Sequence, residues 1–146
     1  MLNEAGAVIA QCKLLAPNAK LPTRAKRTDA GWDLYTPHDI LIPPHGIAEV
    51  KSGIALTVPE GYYYTIEGRS RFWKFNVMPH TGIIDATYSG ELLVTMSNNS
   101  PEEVDIKAGD RFAQIVIQRI VDVEIVEVNE ITYTGRGSDG FGSTGS

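Results

Sequence analysis

Gly53-Ile54-Ala55-Leu56-Thr57-Val58-Pro59-Glu60-Gly61-Tyr62-Tyr63-Tyr64-Thr65-Ile66 holds two runs of β-branched and aromatic residues split by Pro-Glu-Gly. Such side chains suit the pleated surface of a strand, and proline and glycine set the backbone angles of a tight turn. The spacing predicts two strands joined as a hairpin. Upstream, residues 8–15 read as a first strand, followed by a loop marked by Pro17-Asn18 and Leu21-Pro22. Residues 39–42 and 47–51 read as two short strands flanking the bend Pro43-Pro44-His45-Gly46. Downstream, residues 91–96 alternate, with Leu92, Val94 and Met96 on one side. Residues 112–120 are apolar on both alternating sets, so this strand wants cover on both faces, either inside one sandwich or from another subunit. In residues 121–128 the apolar set switches phase between Ile125 and Val126, which predicts a bulge or a change of partner. Helical periodicity is missing from every long segment, and only the turn at Ser70 to Trp73 admits a short helix. Many short strands with Gly/Pro turns and no βαβ alternation mean an all-β sandwich, jelly roll or barrel.

The 146 residues fit one domain with a sizeable core, and 42% hydrophobic content with 8 prolines and 14 glycines suits a turn-rich globular protein. A formal charge of −5 argues against general nucleic-acid or membrane-surface binding, which needs a net basic footprint. Any phosphate site must therefore be local. The single Cys12 excludes an internal disulfide and suits a reducing compartment; it reads as a buried strand residue. The apolar run at residues 7–10 is too short for a signal-peptide core or a membrane span. The expectation is a soluble intracellular protein, cytoplasmic or, in a eukaryotic or viral setting, nuclear.

Three segments hold the chemistry. In Thr81-Gly82-Ile83-Ile84-Asp85-Ala86-Thr87-Tyr88-Ser89-Gly90-Glu91 an apolar pair delivers an acid into a turn bracketed by glycines. A hairpin closing on a small ligand, with Asp85 and Tyr88 inside, is one reading; an ordinary hairpin with a solvated acid and a packed tyrosine is the other. Thr23-Arg24-Ala25-Lys26-Arg27 is the main basic run and reads as a solvated loop or a phosphate-facing one. The segment 135–146 is rich in glycine and serine but holds Arg136 and Phe141. It contains a formal G-x-G-x-x-G, yet no strand-to-helix unit surrounds it, so a dinucleotide fold does not follow, and no P-loop lysine occurs. Unbound it would be a mobile tail; ordered by a ligand it would offer backbone N–H groups to phosphate and a ring to a base. His38, His45 and His80 have no spacing that suggests a zinc site. One acid among phosphate-binding residue types, with no covalent nucleophile, fits water activation for phosphoanhydride hydrolysis, with Mg²⁺ sharing the charge.

Five ordered segments extend this reading: Ala30-Gly31-Trp32-Asp33-Leu34, Gly68-Arg69-Ser70, Gly82-Ile83-Ile84-Asp85 through Tyr88 to Gly90, Gly109-Asp110-Arg111-Phe112-Ala113-Gln114, and Arg136-Gly137-Ser138-Asp139-Gly140-Phe141-Gly142-Ser143-Thr144-Gly145. Together they resemble the five motifs of the homotrimeric dUTPase family. The resemblance implies a distorted jelly-roll subunit at residues 1–134, with an arm at 135–146 that closes over the nucleotide. It also implies a three-fold trimer in which three chains build each site, with dUTP as substrate and Mg²⁺ as cofactor. Asp85 would orient and deprotonate the water that attacks the α-phosphorus, giving dUMP and pyrophosphate. Tyr88 would stack on the deoxyribose and leave no room for a 2′-hydroxyl. Uracil would be read by the main chain between Gly82 and Leu93, including Ile83 and Ile84. Arg69, Ser70, Arg71 and Gln114 would hold phosphates, and Asp33 would reach Mg²⁺ through water. Phe141 would cap the uracil, with Gly142 beside it, while Arg136, Ser143 and Thr144 would close on the γ-phosphate. No direct nucleic-acid or membrane partner is implied.

The chain departs from the family pattern at Arg71, where a small residue is usual, and at Thr87 and Ser89, where Asp and Arg are common. The Arg71 side chain is expected either on phosphate or in a subunit interface, with the interface favoured. A dCTP deaminase is the nearest rival activity, and a nucleotide-sensing or protein-docking module without reliance on turnover is the rival from another class.

Overall fold

A computed structural model describes residues 1–80, 82–132 and 135–140. Its strands, in chain order, are β1 (Gln11–Leu14), β2 (Gly31–Tyr35), β3 (Ile40–Ile42), β4 (Ile47–Thr57), β5 (Tyr62–Glu67), β6 (Val77–Pro79), β7 (Gly82–Asp85), β8 (Glu91–Asn98), β9 (Val104–Ile106) and β10 (Arg111–Arg119). A single turn of helix, α1 (Ser70–Trp73), stands where the short helix is expected. The fold is all-β. Two four-stranded antiparallel sheets, ordered β1-β4-β8-β6 and β2-β10-β5-β7, are accompanied by the pair β3-β9. Val50, Ile54, Leu92, Val94 and Met96 from the first sheet and Leu34, Tyr64, Ile66, Ala113 and Ile115 from the second belong to one buried cluster, so the core lies between them.

Among the described residues no two consecutive strands pair with each other, and this corrects both expected hairpins. β4 and β5 flank Pro59-Glu60-Gly61 as predicted, yet β4 lies in the first sheet and β5 in the second. β7 and β8 are likewise split, β7 pairing with β5 and β8 with β4 and β6. The turn chemistry was legible, but a proline-glycine turn serves a corner between sheets as well as a ladder. The partner is chosen by which face each strand must bury, and that is a tertiary matter.

Other expectations shift more modestly. The first strand is shorter than expected, because Val8 makes only an isolated bridge to Leu2. Cys12 is half-buried in β1, and burial raises its thiol pKa. β10 runs between β2 and β5 with a bulge between Arg111 and Ala113. Residues 121–128, expected as a strand, join no ladder among the described residues. They leave Val121, Val123, Ile125, Val126 and Val128 exposed, Ile125 by 93%.

Candidate active site

Asp85 is the last residue of β7, opposite Tyr63 of β5, and its carbonyl accepts the Tyr88 N–H at 3.1 Å. That turn bends the chain from the second sheet toward the first. The corner so formed walls a cleft of about 490 Å³ lined by Ile83, Ile84, Asp85, Thr87, Tyr88, Glu91, Leu92 and Leu93, a size suited to a small organic ligand. Tyr88 Oη donates to the Glu91 carbonyl at 2.7 Å, which folds the ring over Gly90. A Cβ at Gly90 would fall 2.7 Å from Tyr88 Oη and 3.0 Å from Cζ, so glycine is required for the ring to lie there. Gly82, at φ +77°, supplies a left-handed backbone at the start of β7.

Two carboxylates reach this cleft, and they are not equivalent. Glu91 Oε2 accepts the N–H of Gly53 at 3.0 Å, where β4 takes a positive φ and slips register against β8. Glu91 thus holds the scaffold. The sequence reading gave it no role, and its partner 38 positions away leaves no local signal. Among the described residues no side chain or amide donates to the Asp85 carboxylate, which is exposed to the cleft. It is free to accept a proton.

A second constellation gathers at the other edge of the same sheet. Asp33 on β2 pairs in register with Gln114 on β10, and Gln114 with Glu67 on β5. Gln114 Nε2 donates to the Gly68 carbonyl at 2.8 Å, tying β10 to the loop that carries Arg69 and Ser70. Gly31 makes room for this, because a Cβ there would collide with the Gln114 amide oxygen. Arg69 Nη1 lies 3.2 Å from Asp33 Oδ1, and Arg111 Nη1 donates to Asp33 Oδ2 at 3.4 Å. Arg69 Nη1 is nevertheless buried without a hydrogen bond, since its N–H groups miss the nearby carboxylate. Ser70 opens α1 and is exposed.

Arg71 follows on α1. Its guanidinium lies over the Phe72 ring at 4.8 Å and 3.6 Å from Asp110 Oδ2, which also accepts the Lys107 N–H. Arg136 is exposed, with its carbonyl accepting the Asp139 N–H at 3.4 Å. Phe141, Gly142, Ser143 and Thr144 lie outside the described residues.

The two constellations do not meet. From Asp85 to Asp33 the path crosses three strand spacings and runs from the Tyr63 row to the Glu67 row of β5. At about 4.8 Å per spacing and 3.4 Å per residue, that separates the two Cα atoms by about 20 Å. As for a metal, no three His, Cys, Asp or Glu side chains converge among the described residues, so no all-protein cage is present. Mg²⁺ does not need one, because it keeps several waters and binds through one or two carboxylates plus phosphates. Asp33 is the carboxylate of this cluster that could meet such a hydrated ion through water, once a guanidinium leaves one of its oxygens.

The geometry has a known counterpart. Residues 17–145 match the family model described as dUTPase. The chain belongs to the dUTPase family. The deoxyuridine 5′-triphosphate nucleotidohydrolase of Solanum lycopersicum is 41% identical over 134 residues, covering 91% of this chain and 79% of that protein. The enzyme of the same name from Saccharomyces cerevisiae is 39% identical over 140 residues, covering 94% and 95%. Among solved structures, the Staphylococcus bacteriophage 80alpha dUTPase with dUpNHpp superposes with a TM-score of 0.85 at 30% identity, over 94% of this chain and 99% of that one. The dUTPase of S. aureus phage phi11, in which a structural Mg(II) ion is coordinated, matches with a TM-score of 0.77 at 29% identity, over 86% and 99%. The all-β sandwich with its split corners is thus the dUTPase fold, as the five motifs implied.

Proposed function

We propose that this protein hydrolyses dUTP to dUMP and pyrophosphate, and that each site is completed by neighbouring copies of the chain in a three-fold trimer. The uncommitted Asp85 carboxylate beside the Tyr88 ring carries the chemistry. Asp85 takes a proton from a water whose oxygen bonds to the α-phosphorus; the α–β phosphoanhydride breaks and pyrophosphate leaves. Tyr88, held over Gly90, stacks on the deoxyribose and excludes a 2′-hydroxyl, while the main chain from Gly82 to Leu93 reads uracil. Arg69, Ser70, the amide of Arg71 and Gln114 bind phosphates. Phe141 and Gly142 cover the base, and Arg136, Ser143 and Thr144 close the 135–146 arm on the γ-phosphate. Asp33 is the residue that would hold a hydrated Mg²⁺ together with the phosphates, and such an ion would supply charge neutralisation. By this reaction the protein would limit uracil incorporation into DNA and supply dUMP for dTMP synthesis.

Two observations support sharing between chains. The phosphate-binding cluster stands about 20 Å from Asp85 within one chain, too far for both to act on one nucleotide. The aliphatic run past β10 lies in water, and burying each such side chain is worth about 1.5–3 kcal/mol. The number of copies follows the family resemblance.

Pyrophosphate release from dUTP, dCTP, dTTP and UTP, with and without Mg²⁺, tests the activity; equal rates on all four, or ammonia release from dCTP, would sink it. Sharing is tested by refolding Asp85→Asn together with Arg69→Gln at equal concentration. If Asp85 and Arg69 of one site come from different chains, one site in four is wild type, and about a quarter of full activity returns from two inactive parents. No recovery from a mixed oligomer would place both residues in one chain and refute the shared site.

A further inference from the structure

We infer that Arg111 binds the β- and γ-phosphates at this site and that the Asp33 carboxylate stands in for substrate phosphate until the nucleotide arrives, an inference that rests on the dUTP reading above.

The bulge in β10 is the first observation. On a regular strand, Arg111 and Gln114 are three positions apart and point to opposite faces. Here the register passes from Arg111 opposite Tyr35 to Ala113 opposite Leu34 and Gln114 opposite Asp33. Tyr35 and Asp33 are two apart on β2 and share a face, so the extra residue turns Arg111 to the side of Gln114 and Asp33. Phe112 and Ala113 are both fully buried, as two residues opposing one at a bulge can be. Bulges commonly re-aim a side chain next to a site. This one delivers a guanidinium to the face on which Gln114 and Asp33 already lie.

The second observation is the charge arrangement. Arg69 and Arg111 face the two oxygens of a single carboxylate, Oδ1 at 3.2 Å and Oδ2 at 3.4 Å. The trio carries a net positive charge, and Asp33 cannot satisfy both cations, because the buried Arg69 Nη1 makes no hydrogen bond. A phosphate has more acceptor oxygens than a carboxylate and a larger charge, so it can take both guanidiniums at once. Exposure is graded to match: Arg69 is 22% exposed, Asp33 21% and Arg111 51%. Arg111 is the outer member, able to swing from carboxylate to ligand, whereas Arg69 is fixed. Release of Asp33 Oδ2 from Arg111 on nucleotide binding then leaves that oxygen to the waters around the phosphates.

Calorimetric binding of dUpNHpp and of dUMP to the assembled protein, in the presence of Mg²⁺, separates this role from a structural one. Arg111→Gln should weaken dUpNHpp binding by about tenfold or more, the usual worth of a hydrogen bond to a charged group, and leave dUMP within about twofold. Arg111→Lys should recover part of the loss, and it serves as the test variant if Arg111→Gln melts early. The same loss should persist in an Asp33→Asn background. Unchanged dUpNHpp affinity in Arg111→Gln overturns the inference, as does an equal loss for dUMP. It is also overturned if the loss vanishes with Asp33→Asn, because Arg111 then acts only through Asp33. A wild-type protein that binds no dUpNHpp would remove the dUTP reading itself, whereas normal wild-type binding with an indifferent Arg111 removes Arg111 alone.

Discussion

Asp85 and Asp33 end or occupy strands of the same sheet, at opposite edges, and the chain treats them in opposite ways. Asp85 faces a cleft with no donor against its carboxylate among the described residues, whereas Asp33 is gripped by Arg69 and Arg111. Residue type alone assigns neither role. A carboxylate without cations at hand can receive a proton in a transition state, whereas one between two guanidiniums serves as their counter-ion. Glu91 sharpens the contrast, since it lines the Asp85 cleft yet is committed to the Gly53 amide.

The largest effect expected from breaking this contrast is at Asp85. Asp85→Asn should lower kcat by about 10²–10⁴ while dUpNHpp binding persists, and near-normal turnover would remove Asp85 from the chemistry. Asp33→Asn should instead raise the Mg²⁺ concentration for half-maximal rate by about tenfold, with a smaller change in kcat, as loss of an outer contact to a metal does. Titration of initial rates against Mg²⁺ distinguishes the two patterns.

The glycines allow the same comparison without touching a charge. Gly90→Ala drives a methyl into the Tyr88 ring and should cost up to about 10² in kcat/KM for dUTP through misplacement of the sugar. Discrimination against UTP should fall with it. Gly31→Ala displaces Gln114 and should weaken dUpNHpp with little change in dUMP affinity. If both variants weakened both ligands alike, the division of labour between the two edges would be wrong.

Arg71 gives the smallest effect. Its ion pair with Asp110 is half-exposed, so Arg71→Gly should lower stability by less than about 1 kcal/mol, read by chemical denaturation. A large rise in KM with the oligomer intact would instead return this side chain to the phosphates.

The sequence reading reached the fold class, the α1 turn and the positions of most strands because these are local matters of β-branched runs and Gly/Pro punctuation. It failed on connectivity. Pro59-Glu60-Gly61 and the turn after Asp85 look like hairpins, yet each joins the two sheets, and no dipeptide signal separates a corner from a ladder. Asp85, Tyr88, Arg69 and Gln114 were named as site residues from the ordered motifs, Asp85 and Tyr88 also from the turn that holds them. Glu91, Arg111 and the space-making role of Gly31 were missed, since each acts on a residue that only the folded register brings near. The phase switch near Ile125 was read as a bulge or a change of partner, but among the described residues 121–128 join no ladder in which either could occur.

One topological fact bears on how the molecule is made. β10, the central strand joining β2 to β5, is the last ladder strand in chain order among the described residues. A nascent chain therefore emerges from the ribosome with the two halves of its second sheet unbridged, and no early hairpin can form a seed that waits for the rest. Closure of the second sheet must follow release of nearly the whole polypeptide, so a chain stopped before β10 presents unpaired β-edges.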